Sequence, residues 1–308
     1  MAELKIIQKR KWYLAISSLL IVASFVMIAL YGLNFGIDFT GGSLLEIQIE
    51  SSQQISQDMI KSYFKSDELN VREYKLQQVD ANRFIIRTES LTEEEHQKLL
   101  DILSSKVASD VEGAEVQQIR FESVGPVIGQ ELKRKAGIAL LIASVVIILY
   151  IAWSFRKVSK PVASWKYGLG AIVALVHDVF ITVGVYTLIS HFTDFKIDSL
   201  FITALLVILG YSVNDTIVVY DRIRENLLKE TEYDFEDLIN KSVNQTLVRS
   251  VNTSLSTLLV LFAMYLFGSE ILQGFVLALI IGIAIGTYSS IFIASPLIYM
   301  FAGKKKAS

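Results

Sequence analysis

The stretch DSLFITALLVILGYSVNDTIVVYDRIREN, Asp198–Asn226, decides how the whole chain is read. From Ser199 to Tyr220 it is apolar for about the 20 residues that cross a bilayer. Asn214 and Asp215 interrupt that run near its charged end. A carboxylate inside a span costs roughly 2.5 kcal/mol or more, and it usually marks a function or a partner. On a helix, Ala204, Ile208, Tyr211, Ser212, Val219 and Arg222 share the side of Asp215, a narrow and partly polar stripe.

Five further runs have the same character: Tyr13–Leu33, Gly137–Phe155, Gly168–Ser190, Val251–Phe267 and Gly274–Phe301. With 52% apolar residues and a mean hydropathy of +0.47, the chain of 308 residues belongs to the membrane class. It has no cysteine, which excludes disulfides and thiolate metal sites. A net charge of −2 argues against a nucleic-acid partner. The first run follows Lys9-Arg10-Lys11 but is too long for a signal peptide and has no small-residue cleavage site, so it reads as a retained anchor.

Basic residues of the short loops set the orientation. Lys5, Lys9, Arg10 and Lys11 precede the first span; Arg156, Lys157, Lys160 and Lys166 follow the second. Arg222, Arg224, Lys229, Lys241 and Arg249 lie between the fourth and fifth, and Lys304, Lys305 and Lys306 end the chain. The other side has only Lys196 in its short loops. Both termini are therefore expected in the cytoplasm, with residues 1–33 forming the amino terminus and first span and 302–308 a basic tail. Lys133, Arg134 and Lys135 run against this, but they end a loop of roughly 100 residues, and long loops translocate largely regardless of charge.

Residues 34–136 have the composition of a folded domain outside the membrane. Ser43–Ile49 alternates and reads as a strand, Gln53–Phe64 has helical spacing, and Val71–Val79 and Arg83–Thr88 are strands around the turn Asp80-Ala81-Asn82. A helix starts at Ser90/Thr92 with acids in its first turn, and Val116–Val124 is a last strand. The order β-α-β-β-α-β is the split βαβ, or ferredoxin-like, arrangement. The fold class is thus an α-helical membrane protein: six transmembrane helices, 137–301 holding the last five, and one extracytoplasmic α+β domain between the first two. His96, among acids in a first turn, reads as a solvated surface residue.

Within the spans, Asp215 needs a partner, a proton or water. Arg249, at the start of the fifth span in NQTLVRSVNTSLST, is the candidate partner, and Asn252, Thr253, Ser256 and Thr257 give that helix a hydrophilic side. Burial raises a carboxylate's pKa and an arginine lowers it, so a balanced group can carry a proton; a static ion pair is the alternative. Asn214 is adjacent to this candidate proton pathway, and Asp178, beside His177 in ALVHDVF, either joins a relay or packs as a neutral group. Gly274, Ala278, Gly282 and Gly286, followed by Ser290 and Ala294, recur every four residues and suit close helix packing, within the chain or against another subunit. In NFGIDFTGGS, Asn34–Ser43, Gly36 and Asp38 lead to Gly41-Gly42, which reads as a hinge with Asp38 capping the turn.

Two segments carry a family resemblance. GIDFTGGSLLEI is similar to the signature of the SecD/SecF protein-export family, and VNDTIVVYDRIREN followed by NQTLVRSVNTS resembles its SecF branch. Six spans match the free-standing form of that branch rather than the twelve-span fusion. The resemblance implies pairing with SecD into a core of the resistance-nodulation-division type in the bacterial cytoplasmic membrane. It also implies association with the SecYEG channel and YajC, contact with the preprotein, and use of the proton-motive force for late, ATP-independent translocation. The family's membrane acid falls on Asp215 and its companion arginine on Arg249, and the outer domain is expected to move about Gly41-Gly42 as the proton passes.

Two other readings remain: a proton-driven exporter subunit of the same superfamily, and a scaffold without proton coupling. An enzyme is disfavoured, because no metal-ligand cluster, nucleophile elbow or nucleotide loop is visible and no cofactor is called for.

Overall fold

The computed structural model describes residues 4–64, 73–156, 162–229 and 234–302. Expectations for Val71, Arg72, Lys157, Lys160 and the 303–308 tail lie outside the described residues. In chain order the elements are α1 (Arg10–Tyr31), α2 (Ile37–Thr40), β1 (Gly42–Glu50), α3 (Gln57–Tyr63), β2 (Tyr74–Asp80), β3 (Arg83–Thr88), α4 (Glu93–Asp110) and β4 (Glu115–Val124). Then come α5 (Pro126–Ser154), α6 (Ser164–Phe192), α7 (Ser199–Lys229), α8 (Phe235–Phe267), α9 (Glu270–Ser289), a π-helical turn Ser290–Ala294 and α10 (Ser295–Ala302). Two compact units result, Phe35–Lys135 and the remainder.

The smaller unit is a four-stranded antiparallel sheet in the order β2-β3-β1-β4, with α3 and α4 supplying the apolar cover. Leu45, Ile47 and Ile49 of β1 alternate into a core with Ile60, Phe84, Ile86, Leu99, Leu103 and Val107. α4 opens on a capping box: the Thr92 side chain accepts from Glu95 N–H, and Glu95 accepts from Thr92 N–H at 2.8 Å. His96 is not solvated. It is buried, stacks on Phe121 with ring centroids 3.6 Å apart, and bonds Gln118 through Nε2 at 2.8 Å. The acids around it signalled a surface, but the inward side of that first turn packs on β4.

Gly41 and Gly42 adopt φ of +73° and +125°, a region that side chains resist. A Cβ on Gly41 would lie 2.8 Å from Pro126 Cα, and one on Gly129 would lie 2.9 Å from Gly41 N. The glycine pair is therefore seated within the smaller unit against the start of α5, not free at its border. Gly36 is the N-cap of α2, and Asp38 lies in that helix's first turn without serving as its cap.

In the larger unit, six helices are long and apolar enough to cross a membrane, the last being Glu270–Ala302. Half or more of the apolar window is buried in α6 (50%), α7 (50%) and Glu270–Ala302 (56%), against 11%, 6% and 17% for α1, α5 and α8, so the first three form the core. Gly184 lets α1 approach: a Cβ there would lie 2.2 Å from Ser24 Cβ. The small-residue stripe of α9 works inside the chain in the same way. Gly282 faces Ile208, Gly286 faces Ser212 and Gly274 faces Tyr186, while Ala278 is fully buried.

α8 begins well before the apolar run Val251–Phe267 by which the fifth span was read. No glycine or proline occurs from Phe235 to Phe267, so one helix of 33 residues continues throughout. Its polar first half has a task. Asn240 Oδ1 accepts the N–H groups of Ile6 and Ile7, each at 3.0 Å, and so tethers these two buried residues ahead of α1. The sixth span also departs from one regular helix. Pro296 has no N–H to give to the preceding turn, and the turn before it is π-helical, with the Ala294 carbonyl taking the Tyr220 hydroxyl at 3.1 Å.

Candidate functional site: two serine-held carboxylates

Asp215 points into the helix bundle and is 7% exposed. Ser250 of α8 donates to its Oδ1 at 2.5 Å, and Ser290 of the π turn donates to Oδ2 at 2.6 Å. The expected ion pair with Arg249 is not formed. Adjacent residues on a helix diverge by about 100°, so the residue after the arginine is the one that reaches the carboxylate. Arg249 itself is exposed and makes no ion pair among the described residues. It lines a cavity of about 540 Å³ with Ile217, Asp221, Arg222, Gln245 and Thr246. Arg222 is occupied there, donating to Gln245 at 2.7 Å and to Glu225 at 2.5 Å. Asn214 is exposed on the other side of α7, with no hydrogen bond among the described residues.

Asp178 is fully buried and has the same kind of cradle. Ser212 donates to its Oδ2 at 2.5 Å and Ser289 at 2.7 Å, while His177 Nδ1 lies 2.8 Å from Oδ1. Ser212 and Asp215 are three residues apart on α7, and Ser289 and Ser290 are neighbours, so α7 and the end of α9 each touch both carboxylate sites. The sequence reading missed Ser250 and Ser289, and took Ser290 only as part of the small-residue stripe. Singly, serine in an apolar helix is unremarkable, because it can return its hydroxyl to the backbone. The regular spacing toward Asp215 pointed only to Ser212.

The cradle can serve two protonation states. A hydroxyl has one proton to donate. Ser290 is within reach of either Asp215 Oδ2 or the Thr287 carbonyl, at 2.6 and 3.0 Å. Ser289 has the same choice between Asp178 and the Gly286 carbonyl, at 2.7 and 3.1 Å. An ionised carboxylate accepts the serine's hydrogen bond; a protonated one donates to the serine oxygen, whose own O–H then turns to the backbone. Both states leave every partner bonded.

These features define a multi-pass membrane protein with a paired, hydroxyl-held carboxylate site and a small α+β domain after its first helix. The family model for the C-terminal part of the protein export membrane proteins SecD/SecF matches residues 104–304, and the SecD/SecF GG motif matches residues 26–53. The chain is 40% identical to the protein translocase subunit SecF of Thermobaculum terrenum, over 97% of this chain and 94% of that one. It is 38% identical to SecF of Sebaldella termitidis, over 99% and 94%. A crystal structure of SecDF from Thermus thermophilus, a translocon-associated membrane protein, superposes with a TM-score of 0.79 at 33% identity. That match covers 97% of this chain and 38% of the fused one. The chain belongs to the SecD/SecF family of protein export membrane proteins, as a SecF-type protein translocase subunit.

Proposed function

We propose that this chain pairs with SecD and uses the proton-motive force to promote late, ATP-independent passage of preproteins through the SecYEG channel, with YajC as an associate. Asp215 is the proton carrier. The observation that carries this is a carboxylate 7% exposed in a membrane helix, held by two hydroxyls and no cation among the described residues. Such a charge is costly in an apolar bundle unless it can be neutralised, and a proton is the smallest neutraliser. The serine cradle supports both forms, and Asp178 belongs to the same pathway. Arg249 acts from the cavity edge as the cation that an opened site presents to the ionised carboxylate; Asn214 has no direct part.

In this reading both termini are cytoplasmic and the ferredoxin-like unit faces outward. One charge crossing 100 mV is worth about 2.3 kcal/mol, and conformations a few kcal/mol apart respond to that. The glycine pair keeps the start of β1 against α5 as one body, so the outer unit moves whole. The test is export of a stalled preprotein into inverted vesicles holding this chain and SecD, with ATP exhausted and a proton gradient imposed. Asp215→Asn, at equal complex abundance, is expected to abolish the gradient-dependent step. Unchanged export would refute the proposal and leave the chain a scaffold.

A further inference from the structure

We propose that His177 is a second proton-binding site of the membrane core, with Nε2 as the atom that takes the proton and Asp178 as the group that orients the ring. The inference rests on the proton-coupled reading above and deepens it. Two hydroxyls donate to Asp178, those of Ser212 and Ser289 on Oδ2, and His177 Nδ1 lies 2.8 Å from Oδ1. With Asp178 ionised, its Oδ1 can only accept, so in this proposal Nδ1 carries the hydrogen and the Nε2 lone pair is left free. Nε2 is buried in a side chain 3% exposed and has no hydrogen-bond partner among the described residues. Buried polar atoms in that condition are few, and each asks for an explanation. A basic nitrogen kept ready for a proton explains this one.

The step balances simply. A proton entering the core bonds to Nε2, imidazole becomes imidazolium, and the Asp178 carboxylate is its counter-charge; on release the same N–H bond breaks and Nδ1 keeps its hydrogen. The titratable groups that face the ring are Asp178 on α6, Tyr288 on α9 with ring centroids 6.4 Å apart, and Asp215 beyond Ser212 on α7. Tyr288 is committed elsewhere, donating to the Tyr13 carbonyl of α1 at 3.2 Å. Ser289, which donates to Asp178, and Ser290, which donates to Asp215, are chain neighbours, so one short stretch carries a ligand of each carboxylate.

The test is nitrogen NMR of the full chain, with SecD, in lipid bilayers. The chain has three histidines, so replacing His96 and His191 by glutamine isolates the His177 signals without touching the core pair. Expected is the Nδ1–H tautomer at alkaline pH and protonation of both nitrogens on acidification. An Nε2–H tautomer, or one unchanging state at all pH, overturns the inference. In the vesicle assay His177→Gln is expected to lose several-fold of the gradient-dependent export while ATP-driven export persists. Loss in Asp215→Asn without loss in His177→Gln sinks this inference alone; no loss in either sinks the proton-coupled reading and this inference with it.

Discussion

Gly282→Ala tests whether α9 is held against α7 as closely as the serine cradles require. The added methyl would lie 2.2 Å from Ile208 Cδ1, 2.5 Å from Cγ1 and 2.9 Å from Cγ2. Carbon atoms rest about 3.5–4.0 Å apart, and a branched side chain has few rotamers to escape into. Ile208 is fully buried, so either it leaves its rotamer or the helices part. Overpacking of this kind costs about 1–3 kcal/mol, against a gain of up to about 1 kcal/mol for alanine over glycine in a helix. The net loss is then up to about 2 kcal/mol. Ile208→Ala alone leaves a cavity and costs about 2–5 kcal/mol. It removes all three clashing atoms, so the double mutant should be more stable than the sum of the singles by about 1–3 kcal/mol. Equilibrium unfolding of the four proteins in mixed micelles measures this. A strictly additive cycle would refute the close contact. Because Gly286 meets Ser212 one turn on, Gly282→Ala should also weaken gradient-dependent export.

Asn240→Ala removes the acceptor shared by the Ile6 and Ile7 amides; leaving a buried donor unpaired costs about 1–3 kcal/mol, and faster hydrogen exchange at those two amides is the expected readout. Glu95 in the capping box is held below the usual carboxylate range, first by the Thr92 backbone N–H and then by its hydroxyl. Its folded value lies below its unfolded one. The contribution is therefore complete above the ordinary glutamate titration near about 4.3 and is lost as pH falls through the lowered folded value. Exchange in the first turn of α4 should rise over that acidic window, and Thr92→Ala should raise it at neutral pH, at a cost of about 1 kcal/mol.

Much of this protein follows from local sequence. Six spans are visible because a bilayer demands long apolar runs, and the βαββαβ order because strands alternate with period two while helices do not. Asp215 and Asp178 stand out because a carboxylate in such a run is costly wherever it points. What holds those carboxylates is a tertiary matter. Arg249 was the obvious partner by charge, yet Ser250 makes the contact, because one residue's step around a helix decides which side chain faces inward. Ser289 and Ser290 reach two carboxylates on two different helices only because α9 is seated against α6 and α7. That helix packing also spends the glycine stripe inside the chain, while in the smaller unit the seating of α4 on β4 buries His96. Hydropathy and spacing report the solvent each residue prefers; which hydroxyl meets which carboxylate depends on how closely the helices approach, and that is set by the glycines between them.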